Sequence, residues 1–253
     1  MSRILIFLLV MMAGHAAQAI ETKVIVRAKA KDAKFIGSSL GGAYVIIRDK
    51  TNQRVLAEGL TAGTPGNTKT IMHTPRDRYT QLADDQTAGF EAVIDIEEPV
   101  FVRIEVIAPY NHRQSQVQAV TELWLIPGKH MLGDGIILEI PGFIVDVLSP
   151  RTHQFITLAS VKDKPLKIQA NIVMMCGCLI NKGGTWNGDE IEVKAIVKKD
   201  GKFLKEVTMS LIDANLFEAV TAIDAKGEYQ FTVYAYHEKS GNTGVGKVNF
   251  VVY

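Results

Sequence analysis

Short stretches of alternating apolar and polar residues, separated by turns rich in Gly, Pro, Asn and Asp, run through this 253-residue chain. A period of two places apolar side chains on one face of a β-strand and polar ones on the other. No segment has a convincing helical periodicity, so the pattern predicts an all-β fold of two antiparallel β-sandwich domains in tandem. The predicted strands are residues 43–48, 54–57, 90–96, 100–108, 116–126, 135–140, 143–147, 155–161, 166–180, 190–198, 203–212, 217–223, 229–237 and 245–253.

The first 19 residues have the organisation of a signal peptide. Arg3 supplies a basic start, an apolar run follows at 4–12, and Ala17 and Ala19 are the small residues that signal peptidase requires. The run is shorter than the roughly 20 residues that cross a bilayer. We therefore expect cleavage after Ala19, a chain without a membrane span, and a periplasmic or secreted location. The alternative is a retained N-terminal anchor.

The charge balance argues against a nucleic-acid partner. The chain has 28 Lys and Arg against 27 Asp and Glu, and removal of Arg3 with the signal peptide leaves a net charge of zero. Nucleic-acid binders concentrate positive charge on one face or stripe. The sequence contains no such block, so no nucleic acid is expected as a partner.

The chain is long enough for two domains of common size. A Pro-Gly pair at residues 141 and 142 gives the predicted boundary between a first domain, 20–142, and a second, 143–253. The segment 59–89 is polar, is rich in Gly and Pro, and has one strand candidate at 70–73. Long loops of this kind are either functional or plain surface excursions.

Two resemblances to known families add to this interpretation. The segment 42–47, Gly-Ala-Tyr-Val-Ile-Ile, with 55–61, Val-Leu-Ala-Glu-Gly-Leu-Thr, resembles transthyretin-like domains of the carboxypeptidase-regulatory type. The segment 229–236, Tyr-Gln-Phe-Thr-Val-Tyr-Ala-Tyr, with 240–244, Ser-Gly-Asn-Thr-Gly, resembles the last hairpin of bacterial immunoglobulin-like and fibronectin-like repeats. Tyr229 stands where such folds often place a corner tyrosine. These families imply adhesion, scaffolding or subunit contact rather than catalysis.

The one cluster that suggests specific chemistry is a run of sulfur-containing residues at 174–178, Met-Met-Cys-Gly-Cys. In a regular strand Met174, Cys176 and Cys178 would share one face. Soft thiolate and thioether ligands select Cu(I), and Trp186 lies beyond the next turn, from where it could cover the site. The cluster therefore predicts a soft-metal site, with Cu(I) as the expected cofactor, formed by Met174, Cys176, Cys178 and Trp186.

Two other interpretations of the cysteines stay open. Free cysteines are often small core residues, and the apolar face of this strand is expected to point inward. An exported chain also favours a disulfide. In a regular strand the two Cα atoms would lie about 6.6 Å apart, at the outer limit of disulfide geometry. A bridge needs a kink, which Gly177 permits, and would give a redox-active Cys-Gly-Cys couple.

Other motifs give no sign of catalysis. Residues 37–41 read Gly-Ser-Ser-Leu-Gly and match the G-x-S-x-G nucleophile pattern around Ser39, but a strand follows where that pattern requires a helix. The neighbouring carboxylate pairs at 84–85 and 97–98 point to opposite faces of an extended chain. The soft-ligand pairs at 72–73 and 130–131 lie in the other predicted domain. We expect a non-enzyme.

A protein partner is expected at the edges of the predicted sandwiches. Edge strands present unpaired backbone groups that can accept an added strand from another chain. The last strand, 245–253, is the candidate edge. A structural or adhesion module that binds proteins in this way is the alternative to the copper-binding hypothesis.

Overall fold

A computed structural model describes residues 19–162 and 164–253 of the chain. The predicted signal peptide falls outside this part of the chain except for Ala19, so its cleavage stays a prediction. Among the described residues, none of the helices combines the length and the apolar character required to cross a membrane.

The all-β prediction is confirmed: the described residues form sixteen strands and only short helical turns. The strands are β1 (Ile20–Ala30), β2 (Tyr44–Asp49), β3 (Val55–Leu60), β4 (Phe90–Ile96), β5 (Val100–Ala108), β6 (Val117–Leu125), β7 (Met131–Ile140), β8 (Phe143–Ser149), β9 (Gln154–Ile156), β10 (Leu166–Met174), β11 (Ile191–Lys199), β12 (Lys202–Thr208), β13 (Ser210–Asp213), β14 (Leu216–Thr221), β15 (Gly227–His237) and β16 (Asn242–Val252). One α-helix, α1, covers Leu158–Val161, and 3-10 turns cover Ser38–Leu40, Arg113–Ser115 and Gly188–Glu190.

The strands form four sheets. Strands up to Ile140 form the sheets β4-β1-β7 and β3-β2-β5-β6, and strands from Phe143 onward form β13-β14-β10-β8 and β12-β11-β15-β16-β9. Neighbouring strands run antiparallel except in the pairs β1–β7 and β16–β9, which are parallel. The boundary at residue 142 and the transthyretin-like assignment of the first half stay predictions.

Alternation decides which side chains enter the core. In β5 the residues Val102, Ile104 and Val106 are fully buried, while Arg103 and Glu105 between them form an ion pair on the other face. Full burial of one such aliphatic side chain stabilises the fold by about 1.5–3 kcal/mol. The core therefore follows directly from the period-two pattern of the sequence.

The corner tyrosine is confirmed by its hydrogen bond. Tyr229 begins the inward-facing row of β15, is 2 % exposed, and donates its hydroxyl proton to the carbonyl oxygen of Ala225 at 2.8 Å. A tyrosine that bonds back to the backbone a few residues upstream is a feature of immunoglobulin-like sandwiches. Residues 143–252, with a four-stranded and a five-stranded sheet, thus have the sandwich architecture that their resemblance implies.

Four predicted strands differ in the structure. The candidate at 203–212 divides into β12 and β13, which belong to different sheets. The candidate at 70–73 is wrong, because Lys69–His73 forms a π-helical turn. The Asn67 side chain accepts a hydrogen bond from the Thr70 amide there, and Ile71 packs in a small cluster of its own. The candidate at 155–161 ends early, at Ile156, and α1 follows. The candidate at 166–180 stops at Met174.

The predicted edge at 245–253 is partly paired in the structure. Strand β16 pairs with β15 on one side and with β9 on the other, where Val251 lies opposite Phe155. A three-residue strand distant in sequence therefore covers the end of this edge, at residues 250–252, which no local pattern of β16 indicates.

The long segment 59–89 is held by a buried arginine. Arg27 on β1 is 5 % exposed, and its guanidinium donates hydrogen bonds to the carbonyl oxygens of Thr87, Ala88 and Gly133. Asp134 accepts hydrogen bonds from two backbone amides of the same segment. Burial lowers the pKa of Arg27, and the nearby carboxylates of Asp134 and Asp84 partly offset this effect.

Candidate functional site

The sulfur cluster lies in a turn at the end of β10 rather than along the strand. The amide of Gly177 donates to the carbonyl oxygen of Met174 at 2.7 Å, which closes the turn. Gly177 has a φ of +74°, a conformation that side-chain-bearing residues avoid. The strand therefore ends four residues before Cys178, and the residues that follow no longer alternate between two faces.

The two cysteines form a disulfide across this turn. The Cα atoms of Cys176 and Cys178 lie 5.4 Å apart, within the usual range for a disulfide and shorter than the roughly 6.6 Å of a regular strand. The expectation that a bridge requires a kink at Gly177 is confirmed by this geometry.

A disulfide that closes so short a loop contributes little to the stability of the whole fold. The bonded residues are separated by two positions in sequence, and the loop-entropy relation gives roughly 1.6 kcal/mol for a three-residue loop, about half the value for fifteen residues. The bond therefore acts mainly on its surroundings, by fixing the shape of the turn.

The four residues predicted as a metal site lie near one another but line two separate depressions in the surface. Cys176, Cys178 and Trp186 line an open depression of about 530 Å³. Met174 instead lines a separate cleft of about 640 Å³, which Trp186 also lines from its other side. All three sulfur-bearing residues are at least nine-tenths buried. In the described residues no group of three or more His, Cys, Asp or Glu side chains has the arrangement of a metal site.

The disulfide bears directly on the copper hypothesis. A disulfide sulfur has no thiolate to offer, and thiolates are the ligands that Cu(I) requires here. The copper hypothesis therefore applies only to the reduced protein.

Trp186 is held by the turn that carries it and by a contact with the first half of the chain. The amide of Asn181 donates to the carbonyl oxygen of Trp186, and the side chain of Asn187 accepts from the amide of Gly183. The indole Nε1 donates to the carbonyl oxygen of Asp32 at 2.8 Å. The indole position next to the cysteines is therefore fixed by both halves.

The opposite wall of the depression comes from the first half. Lys34, Ser39 and Pro65 line it, and the side chain of Leu40 lies directly over Gly177, where an added Cβ would meet it at 3.1 Å. Ser39 belongs to the 3-10 turn Ser38–Leu40, so the glycine-rich turn expected from the sequence is confirmed. The disulfide therefore lies at the junction between the two halves.

A buried asparagine strengthens this junction. Asn242 is fully buried, donates its side-chain amide to the carbonyl oxygen of Lys31, and accepts a hydrogen bond from the amide of Gly142. One side chain thus satisfies backbone groups of the first half and of the predicted boundary. Buried hydrogen bonds of this kind fix orientation because their loss leaves polar groups unsatisfied.

Sequence reasoning missed the charged groups of the cleft beside Trp186. His237 Nδ1 lies 2.8 Å from Ser240 Oγ, and Nε2 lies 3.6 Å from a carboxylate oxygen of Glu190. Lys239 lies 2.9 Å from the same oxygen, and its hydrogen bond holds the pKa of Glu190 below the usual range. The pairing of β11 with β15 brings Ile191 opposite His237, and no local motif signals that approach.

Comparisons with known proteins found distant structural neighbours. No family model and no curated protein matches the chain. The fibronectin(III)-like modules of CbhA from Clostridium thermocellum align with a TM-score of 0.29 at 13 % identity, covering 92 % of this chain and 94 % of that one. The D1–D4 ectodomain fragment of ICAM-5 aligns with a TM-score of 0.28 at 10 % identity, covering 84 % of this chain and 45 % of that one. Neither alignment is close enough to carry an argument about function.

Proposed function

We propose that the protein is an exported, non-catalytic interaction module that binds an extended segment of a partner protein along strand β6. The added segment would pair with the free backbone groups of β6 and extend the sheet β3-β2-β5-β6 by one strand. This mode of binding draws affinity from main-chain hydrogen bonds and specificity from alternate side chains.

The observation that carries the proposal is the regularity of β6. Its nine residues pair with β5 without a register shift, from Leu125 opposite Val100 to Val117 opposite Ala108. Among the described strands it is the longest sheet edge with an unbroken register. The strand contains no Lys and no Pro, the residues that commonly protect an edge.

Several other edges in the described part of the chain are protected or short, and β4, an edge with an unbroken register and neither Lys nor Pro, pairs over seven residues against the nine of β6. Strand β12 has lysines at Lys202 and Lys205 and a register shift between Val197 and Lys198 of its partner, and both features discourage strand addition. Strands β9 and β13 have three and four residues. These differences favour β6.

Exposed apolar side chains accompany the free edge. Val120 and Trp124 are 42 % and 57 % exposed, and the ring of Trp124 packs against Phe101 with a centroid distance of 5.1 Å. A partner strand with apolar residues at alternate positions would bury these side chains. The partner is therefore expected to be a protein segment of alternating apolar and polar residues.

Site-specific photo-crosslinking in the producing cells tests the proposal. A benzophenone amino acid at position 124 should give one defined protein adduct, identified by mass spectrometry, and Val120→Lys in the same chain should abolish it. The control is the same probe at Phe203 on the protected edge β12, which is 64 % exposed. Equal adducts from positions 124 and 203, or an adduct that survives Val120→Lys, would contradict binding at β6.

Cu(I) binding by Met174, Cys176 and Cys178, with Trp186 beside them, is a second proposal and concerns the reduced protein. Its support is the proximity of the two cysteines, which a single turn holds together. Reduction would supply two thiolates there, with the Met174 thioether as a weaker third donor.

A further inference from the structure

We propose that the Cys176–Cys178 disulfide is a thiol–disulfide exchange site for anionic thiols, which enter the depression between the two halves of the protein. The proposal does not depend on the β6 edge. It rests on the access to the sulfurs, on the charge around them, and on the contact of their turn with the first half.

The depression exposes one of the two cysteines more than the other. Cys178 is 8 % exposed and Cys176 is 2 % exposed, and both line the open depression. Gly177 between them is exposed and has no side chain to block approach. The structure therefore assigns Cys178 Sγ as the sulfur that is attacked.

The charge of the depression favours an anion. Among the described residues that line it, Lys34 is the only one with a charged side chain, and the others are neutral. The Lys34 amine lies within 3.4 Å of the carbonyl oxygen of Gly66, so its position on the wall is anchored. Reactive cysteine sites are typically electropositive and partly exposed, and an anionic thiolate is the attacking species in exchange.

The exchange balances in two steps. A thiolate R–S⁻ attacks Cys178 Sγ, the bond between the cysteines breaks, and Cys176 leaves as a thiolate that takes a proton from water. A second R–S⁻ then attacks the mixed disulfide, releases R–S–S–R, and leaves Cys178 reduced. Two external thiols are oxidised, and one protein disulfide is reduced.

The turn also connects this chemistry to the junction. Leu40 packs over Gly177, and Trp186 joins the depression to the backbone of Asp32. Reduction removes the bond that fixes the turn, so the packing of Leu40 and the environment of Trp186 are expected to change with redox state.

The test measures reduction of the full chain by 2-mercaptoethanesulfonate, an anionic thiol, and by cysteamine, a cationic one. Free thiols are trapped with a maleimide and counted by intact mass, without denaturant. The expected result is that both cysteines react in the folded protein, and that Lys34→Gln slows the anionic thiol roughly fivefold but not the cationic one. Lys182→Gln is the matched control, because Lys182 is exposed in the neighbouring turn but does not line the depression.

A second measurement does not need a variant. The rate of the wild-type protein with the anionic thiol should fall with added salt, and the rate with cysteamine should not. Reduction that occurs only in denaturant, equal rates for Lys34→Gln and Lys182→Gln, or salt-independent rates with the anionic thiol would overturn the proposal. None of these outcomes bears on crosslinking at β6.

Discussion

The indole Nε1 of Trp186 donates a hydrogen bond to the backbone carbonyl oxygen of Asp32 across 154 positions of sequence. The bond joins the turn after the disulfide to the turn that follows β1 in the first predicted domain. Trp186 also lines both the disulfide depression and the neighbouring cleft. This hydrogen bond therefore fixes the indole between the two depressions, where the two halves of the chain meet.

Trp186→Phe removes this hydrogen bond while keeping an aromatic ring. We expect the free energy of unfolding to fall by about 1 kcal/mol, measured by urea denaturation. Trp124→Phe is the control, since its side chain is 57 % exposed, and such surface changes usually stay within about 0.5 kcal/mol. Equal losses in the two variants would show that the bond to Asp32 contributes nothing.

Arg27→Met leaves the carbonyl oxygens of Thr87, Ala88 and Gly133 without their donor. Hydrogen bonds to charged groups contribute about 1.5–3 kcal/mol each, so we expect a loss of several kcal/mol and faster proteolysis within 59–89. Arg54→Met, at an exposed position, should change neither. A stable Arg27→Met protein with an intact proteolysis pattern would contradict the anchoring role.

Tyr229→Phe should alter the stability and its dependence on alkaline pH. Burial raises the pKa of the Tyr229 hydroxyl above its usual 10.0. Because the pKa is higher in the folded state than in the unfolded state, the hydroxyl contributes to the free energy of unfolding. This contribution is fully present below pH 10.0 and is lost as pH rises through the folded-state pKa. We expect the variant to be about 1 kcal/mol less stable at neutral pH and to lose less stability than wild type in alkali.

The check is chemical denaturation at a series of pH values. Tyr79→Phe serves as the control for loss of a tyrosine, because Tyr79 is 86 % exposed. If Tyr229→Phe and wild type lose the same stability in alkali, the corner hydroxyl is not the group responsible.

Cu(I) uptake is expected only after reduction of Cys176 and Cys178, because the disulfide removes both thiolates. In a chelator competition the reduced protein should bind Cu(I), with an affinity that falls as pH drops and the thiols protonate. The double change to Ser should abolish binding, and Met174→Leu should weaken it. Met175→Leu is the control, a neighbour that is equally buried but lies outside the predicted ligand set.

Trp186 fluorescence should be quenched in the reduced protein when copper is added, if the indole covers the bound ion. Uptake by the oxidised protein, or none by the reduced protein, would exclude the proposed ligand set. Equal effects of the changes at Met174 and Met175 would exclude the Met174 thioether as a ligand but would leave the two thiolates in the proposed set.

The sequence by itself determined which residues face the core. Strands such as β5 and β15 were predictable because alternation sets the buried face within a few residues, whatever lies beside the strand. The same local reasoning identified Gly177 as the kink that a Cys-Gly-Cys bridge would need. The corner position of Tyr229 came from the resemblance to immunoglobulin-like repeats.

Only the tertiary structure decided which strands are neighbours. The local sequence pattern of a strand does not specify which distant segment the chain brings next to it. Strand β9 pairs in parallel with the last residues of β16, and this pairing favours β6 over the C-terminal strand as the proposed binding edge.

The candidate site likewise has a local part, which the sequence predicted, and a part that depends on contacts between distant segments. The sulfur cluster was visible in one run of five residues. Its position under Leu40, its depression beside Lys34, and the bond from Trp186 to Asp32 depend on how the two halves meet. Those contacts join residues far apart in sequence, and packing of the whole chain alone brings them together.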